Sequence, residues 1–224
     1  DPPQLVQVDL DSNLTMTAGL DHPAVLAGAS QERLLVITVR GNEGVGEVDR
    51  PVNVAVVLDR SGSMAGKGKM EYARQAAREL VEGLDADDSF AFVTFSDRAN
   101  VVLPSQRVLD GGSLIRAIEG VYEGGGTNLY AGLEQGIQQV RRGASDDAVN
   151  RVVVLSDGKA NVGVTQSGSI AELASRYSDQ GVRVSTIGLG LDYNEDLLAE
   201  MADRGGGTYH FVNDPDVLAQ VFRE

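Results

Sequence analysis

The amino-acid sequence predicts an α/β protein: a three-layer, doubly wound, mostly parallel sheet with an N-terminal β extension. Three observations carry that reading. From Pro51 onward, Val-rich runs alternate with stretches of helical spacing, as they do where each strand of a parallel sheet is followed by a crossover helix. The runs are apolar almost throughout, Val52-Asn53-Val54-Ala55-Val56-Val57-Leu58 being the clearest, which is the pattern of a strand covered on both faces. The 224 residues suffice for one such domain with an added element and a substantial core.

Residues 1–49 differ in texture from the rest. Leu5, Val6, Val8 and Leu10, then Leu14 and Met16, suggest short strands of partial alternation, and Leu34-Leu35-Val36-Ile37-Thr38-Val39 suggests a stronger one. Gly41-Asn42-Glu43-Gly44-Val45-Gly46 reads as a loop. This segment holds too little core to stand alone, so it is expected to pack beside the main domain, residues 50–224.

In the main domain, the strand at 52–58 leads to a helix at 70–84, with Met70, Ala73, Ala77, Leu80, Val81 and Leu84 on one face. A second strand follows at 89–95. Residues 100–103 suggest a short edge strand ended by Pro104, because proline cannot donate to a central ladder. Leu114, Ile115 and Ile118 mark a short helix. Leu129, Leu133, Ile137 and Val140 mark a longer one at 128–142, closed by Arg141-Arg142, a favourable pair at a helix C-terminus. Strands at 151–155, 182–189 and 208–212 complete the sheet, with helices at 170–177, 194–201 and 214–222 between or beside them. No internal repeat or low-complexity tract is visible.

Composition narrows the function. Hydrophobic residues at 42% and charged residues at 23% are ordinary for a globular protein, and no apolar run reaches membrane-span length. A net charge of −14, with no basic stripe to offset it, argues against nucleic acid or an anionic membrane as main partner. With no cysteine, disulfides and thiolate metal sites are excluded. His22 and His210, the only histidines, cannot make a zinc site of the usual His/Cys kind and read as structural. The chain begins without Met or a signal-like segment, so a mature or excised piece is expected and its address is not readable.

The chemistry lies at the strand ends. Asp59-Arg60-Ser61-Gly62-Ser63 follows the first core strand, Gly124-Gly125-Gly126-Thr127-Asn128 precedes a helix, and Ser156-Asp157-Gly158 follows a later strand. All three fall on one edge of one sheet, where open α/β folds bind ligands. Hard divalent ions take oxygen ligands, and two hydroxyls at i and i+2 in a turn can point to one centre. Each residue has a plainer reading: Asp59, Ser61, Ser63 or Thr127 as a helix cap, Asp157-Gly158 as a turn. Convergence on one edge favours the site.

This pattern resembles the von Willebrand factor A domain and its metal-ion-dependent adhesion site (MIDAS). The likeness runs from about Pro51 to the end, with Asp59, Ser61, Ser63, Thr127 and Asp157 at the five matching positions. Asp97, Asn128 and Asn161 resemble rim residues of the family. The wording of residues 51–64 and 157–161, with Gly125-Thr127-Asn128 and Ile187-Gly188-Leu189-Gly190, looks most like bacterial members related to inter-α-trypsin inhibitor heavy chains. Such relatives are longer, so Glu224 is expected to be a boundary within a longer protein. The resemblance implies a Rossmann-like fold and one Mg²⁺ (or Mn²⁺ or Ca²⁺). Ser61, Ser63 and Thr127 would be direct ligands, with Asp59 and Asp157 acting through water or behind them. The partner implied is a protein presenting an Asp or Glu carboxylate. Opposing net charge would slow such an encounter more than weaken the docked state, since screening acts over about 8 Å. A secreted or cell-envelope setting is favoured over the cytoplasm, and the helix at 214–222 is the element that shifts in some members.

Enzymatic readings fare worse. Ser61-Gly62-Ser63-Met64-Ala65-Gly66-Lys67-Gly68 misses the phosphate-binding P-loop in both registers. An aspartyl phosphotransferase or hydrolase using Asp59 would want a second acid where Ser61 stands. No Gly-x-Ser-x-Gly elbow surrounds either serine. A non-catalytic binding module is the expectation, with a phosphoryl-transfer or hydrolytic enzyme at Asp59 as the alternative.

Overall fold

The structure, a computed structural model, describes residues 5–9, 14–20, 34–41, 50–190 and 193–212. By its contacts the chain divides into two units, Asp1–Asp49 and Arg50–Glu224. In the first, β1 (Leu5–Asp9), β2 (Leu14–Leu20) and β3 (Leu35–Gly41) make an antiparallel sheet with β2 in the centre. Leu5 pairs with Gly19, and Leu20 with Leu35. Leu10 and the loop expected at 42–46 lie outside the described residues.

The second unit holds a six-stranded sheet made of β4 (Val52–Asp59), β5 (Ser89–Phe95), β6 (Ala99–Arg107), β7 (Val149–Ser156), β8 (Val182–Leu189) and β9 (Gly206–Val212). Its order is β6-β5-β4-β7-β8-β9, and every neighbouring pair is parallel except β5 with β6. Helix α1 (Lys69–Glu82) joins β4 to β5, while α2 (Gly111–Glu119) and α3 (Leu129–Arg142) join β6 to β7. Helix α4 (Ser167–Ser178) joins β7 to β8, and α5 (Glu195–Arg204) joins β8 to β9. The doubly wound α/β architecture is therefore present.

Both faces of β4 are covered, which explains its apolar run from Val54 to Leu58. Val54, Val56 and Leu58 pack with Met64, Met70, Ala73, Ala77 and Leu80 on one face. Ala55 and Val57 pack with Leu133, Ile137 and Val140 on the other. Helix α3 approaches closely because it presents glycine to the sheet: a Cβ at Gly136 would lie 2.3 Å from Val57 Cγ2, and one at Gly132 2.5 Å from Phe95 Cδ1. The chain builds outward from β4 to β6, then returns to set β7 against the other side of β4. The carboxyl ends of β4 and β7 thus flank the switch point, where such sheets open a crevice.

Two expectations are corrected, and one plainer reading falls away. Strand β6 does not stop at Pro104 but continues to Arg107. It lies at the sheet edge, where a residue without an N–H is tolerated, and its pairing with β5 is irregular nearby, between Phe90 and Phe92. The acidic and hydroxyl segment after β4 does not enter α1 directly; a single 3₁₀ turn, Gly62–Ala65, intervenes. Thr127 is not the cap of α3, because Asn128 takes that place. The helix expected at 214–222 lies outside the described residues. Among those described, no helix is long and apolar enough to cross a membrane.

Candidate metal centre

Strand β4 ends in Asp59, which is fully buried. Its Oδ1 accepts from the Ser61 backbone N–H at 2.8 Å, and its Oδ2 accepts from Ser156 Oγ at 2.5 Å. Ser156 Oγ in turn accepts from the Gly158 N–H at 2.8 Å, so one hydroxyl fastens the end of β7 to that of β4. Burial pushes the Asp59 carboxyl up to about 6; the bonds from Ser156 and Ser61 oppose the rise, and the Asp157 charge adds to it.

The two serines are not spent on capping. Ser61 precedes the 3₁₀ turn without a side-chain cap bond, and the N-cap of α1 is Gly68. Instead Ser61 Oγ and Ser63 Oγ are hydrogen-bonded to each other, 3.0 Å apart. Oxygens bound to Mg²⁺ at about 2.1 Å on adjacent octahedral vertices would be about 3.0 Å apart. The pair therefore has the spacing of a ready-made ligand edge.

The second loop is tied to the first through backbone groups. Gly62 N–H donates to Gly125 O at 3.0 Å, and Gly124 N–H to Arg60 O at 2.6 Å. Glycine is required here: a Cβ at Gly125, where φ is +87°, would fall 2.7 Å from Asp97 Oδ2, and one at Gly126 2.5 Å from Val162 Cγ2. Thr127, buried, donates its N–H to Asn161 Oδ1 at 2.8 Å, and its carbonyl accepts from Asn161 and Val162. Asp97 Oδ1 accepts from Gly126 N–H at 3.0 Å. Asn128 caps α3 by accepting from Ala131 N–H, and its Nδ2 donates to Asp97 O at 3.3 Å. Asp97, Asn128 and Asn161 thus fasten the loop that presents Thr127.

The third segment carries Asp157, also fully buried. Its Oδ2 pairs with Lys69 Nζ at 2.9 Å, and its Oδ1 accepts from Lys159 N–H at 3.4 Å. Lys69 lies outside the three segments that the sequence singles out, and Ser156 lies within one of them but not among the five matching positions. The signal for Lys69 was available: it falls on the face of α1 that also buries Ala73, Ala76 and Leu80, an odd place for a lysine.

The donors suit a hard cation. Among the described residues, no group of three or more His, Cys, Asp or Glu side chains is placed to hold a metal. A cation here would therefore rest on neutral hydroxyls, with two acids behind them that already have partners. Such a donor set favours Mg²⁺ or Mn²⁺.

A sequence profile of the von Willebrand factor type A domain matches residues 53–224. The uncharacterized protein sll0103 of Synechocystis is 32% identical over 199 residues, which is 88% of this chain and 46% of that protein. Human inter-alpha-trypsin inhibitor heavy chain H4 is 27% identical over 234 residues, covering 98% of this chain and 24% of its own length. The chain thus spans less than half the length of these relatives. Among solved structures, mussel-byssus proximal thread matrix protein 1 with a zinc-occupied MIDAS motif shares the fold, with a TM-score of 0.64 at 21% identity over 78% of this chain and 47% of that one.

Proposed function

The chain belongs to the von Willebrand factor type A domain family, and on that premise we propose that its crest is a divalent-cation site through which it grips an acidic group on a partner protein. One observation carries the reading: Ser61 and Ser63 hold their hydroxyls 3.0 Å apart with no capping duty. Ser61, Ser63 and Thr127 would supply neutral oxygens to Mg²⁺ or Mn²⁺. Asp59 and Asp157 would contribute charge from behind, through water, because their oxygens already accept from Ser61, Ser156, Lys69 and Lys159. A cation held mainly by neutral ligands keeps its attraction for an outside carboxylate. The residues' own work is to preorganise that position: the Gly62–Gly125 and Gly124–Arg60 bonds hold the loops before any partner arrives.

The same geometry weighs against the alternative of phosphoryl transfer or hydrolysis. Asp59 is fully buried with both carboxylate oxygens engaged, so it is poorly placed to attack a substrate. The relative with a zinc-occupied MIDAS supports cation binding as such; the preference for Mg²⁺ or Mn²⁺ rests on the hydroxyl donors.

Calorimetric titration of Mg²⁺ and Mn²⁺ into the wild type and a Ser61→Ala/Ser63→Ala variant tests the proposal. One saturable site in the wild type, lost in the variant, is expected. Capture of acidic peptides should then vanish with EDTA. Equal binding by both proteins would place the cation elsewhere and overturn the assignment.

A further inference from the structure

The Lys69–Asp157 pair is an unusual companion for a cation site. Lys69 stands at the first residue of α1, its side chain 5% exposed and that of Asp157 0% exposed, with 2.9 Å between Nζ and Oδ2. The lysine is built in rather than incidental. Lys67 and Gly68 both take left-handed backbone conformations, φ 56° and 72°, to launch the helix at this point. Gly190 on the far side leaves room for the stem, since a Cβ there would come 2.7 Å from Lys69 Cε. A long cationic side chain has been threaded to the one carboxylate expected to face the cation from β7.

We propose that Lys69 acts as a resident counter-ion that competes with the divalent cation for Asp157. It neutralises Asp157 when no cation is present, holds the carboxylate back from direct ligation, and lowers cation affinity by like-charge repulsion. Buried carboxylates without a partner are strongly destabilising, so the empty crest needs a positive group. A divalent ion within a few ångströms of Asp157 must share the site with an ammonium that burial keeps from swinging to solvent. Weaker attachment is the consequence, and with it a cation less neutralised by Asp157 and more attractive to a partner's carboxylate. Lys69 is a positioning residue, and this inference rests on the metal-site reading above.

The test is Mn²⁺ calorimetry with thermal unfolding in EDTA and in saturating Mn²⁺, on the wild type, Lys69→Met, Asp157→Asn and the double variant. Lys69→Met should bind Mn²⁺ at least ~10-fold more tightly than the wild type, the equivalent of about 1.4 kcal/mol. It should also melt lower in EDTA and recover more when Mn²⁺ is added. In the Asp157→Asn background, Lys69→Met should tighten Mn²⁺ less than it does in the wild type, because only the like-charge repulsion is then relieved. A purely structural lysine would lower the melting temperature without tightening Mn²⁺. Lys69→Met that is folded and binds Mn²⁺ no more tightly than the wild type overturns the inference alone. Lys69→Met that is unfolded in EDTA but folds with Mn²⁺ supports it, whereas failure to fold even in saturating Mn²⁺ overturns it. Binding by Lys69→Met and not by the wild type supports it in its strongest form. Absence of binding in both proteins overturns the metal-site reading and this inference together.

Discussion

The two ends of the same sheet handle charge in opposite ways. At the carboxyl ends of β4 and β7, Asp59 and Asp157 are fully buried, and each is tied to named partners on other loops. At the amino ends, Arg50, Arg151 and Arg183 line an open cavity of about 680 Å³ together with Asp146 and Asn150. Arg50 there donates to the backbone carbonyls of Asp147 and Asp146, at 2.9 and 2.6 Å. Arg151 and Arg183 are register partners on β7 and β8, so like charges sit side by side. Burial, and then the Arg183 charge, push the Arg151 guanidinium down from its ordinary value. One end buries its charges against fixed partners; the other leaves Arg50 and Arg183 exposed, with Arg151 half-buried between the strands.

Three changes probe that contrast, beginning with the largest expected effect. Asp59 should give the empty protein an inverted pH dependence. Its carboxyl is raised to about 6 in the fold from 3.8, so the unfolded chain releases the proton first as pH rises. Stability from this group is therefore full below about pH 4 and is lost by about pH 6, a change of roughly 3 kcal/mol. Urea unfolding in EDTA should show this slope in the wild type and not in Asp59→Asn; equal slopes in the two would mean that the crest carboxylate is solvated like the exposed Arg50 and Arg183.

Ser156→Ala comes next. It removes the hydroxyl that donates to buried Asp59, at an expected cost of about 1–3 kcal/mol in urea unfolding at pH 7. Arg183→Gln should have the smallest effect, within roughly 0.5 kcal/mol and tending to stabilise, because it relieves Arg151 of a like charge. A loss at Arg183 equal to that at Ser156 would erase the distinction between the two ends.

What the sequence made legible follows the same division. Strands β5 and β8 match their expected bounds, Ser89–Phe95 and Val182–Leu189, because burial of nearly every residue keeps both segments mostly apolar. Edge strand β6 was cut short at Pro104, since an edge imposes no such burial and forgives a missing donor. Asp59, Ser61 and Ser63 stand out in the sequence because one short turn carries all three. The plainer reading of Thr127 as the cap of α3 falls to its neighbour Asn128, since both polar side chains suit a helix start. Lys69 was missed for another reason: its partner is 88 residues away, and no local pattern announces an ion pair formed across a fold.

The central claim is that Ser61 and Ser63 form one edge of a cation's coordination shell. A crystal grown with Mn²⁺ and read by its anomalous signal tests this most directly. The account predicts a single peak about 2.2 Å from both Ser61 Oγ and Ser63 Oγ, beside Thr127, and its disappearance in Ser61→Ala/Ser63→Ala crystals. A peak elsewhere, or an unoccupied crest at a Mn²⁺ concentration that saturates the protein in solution, would contradict it.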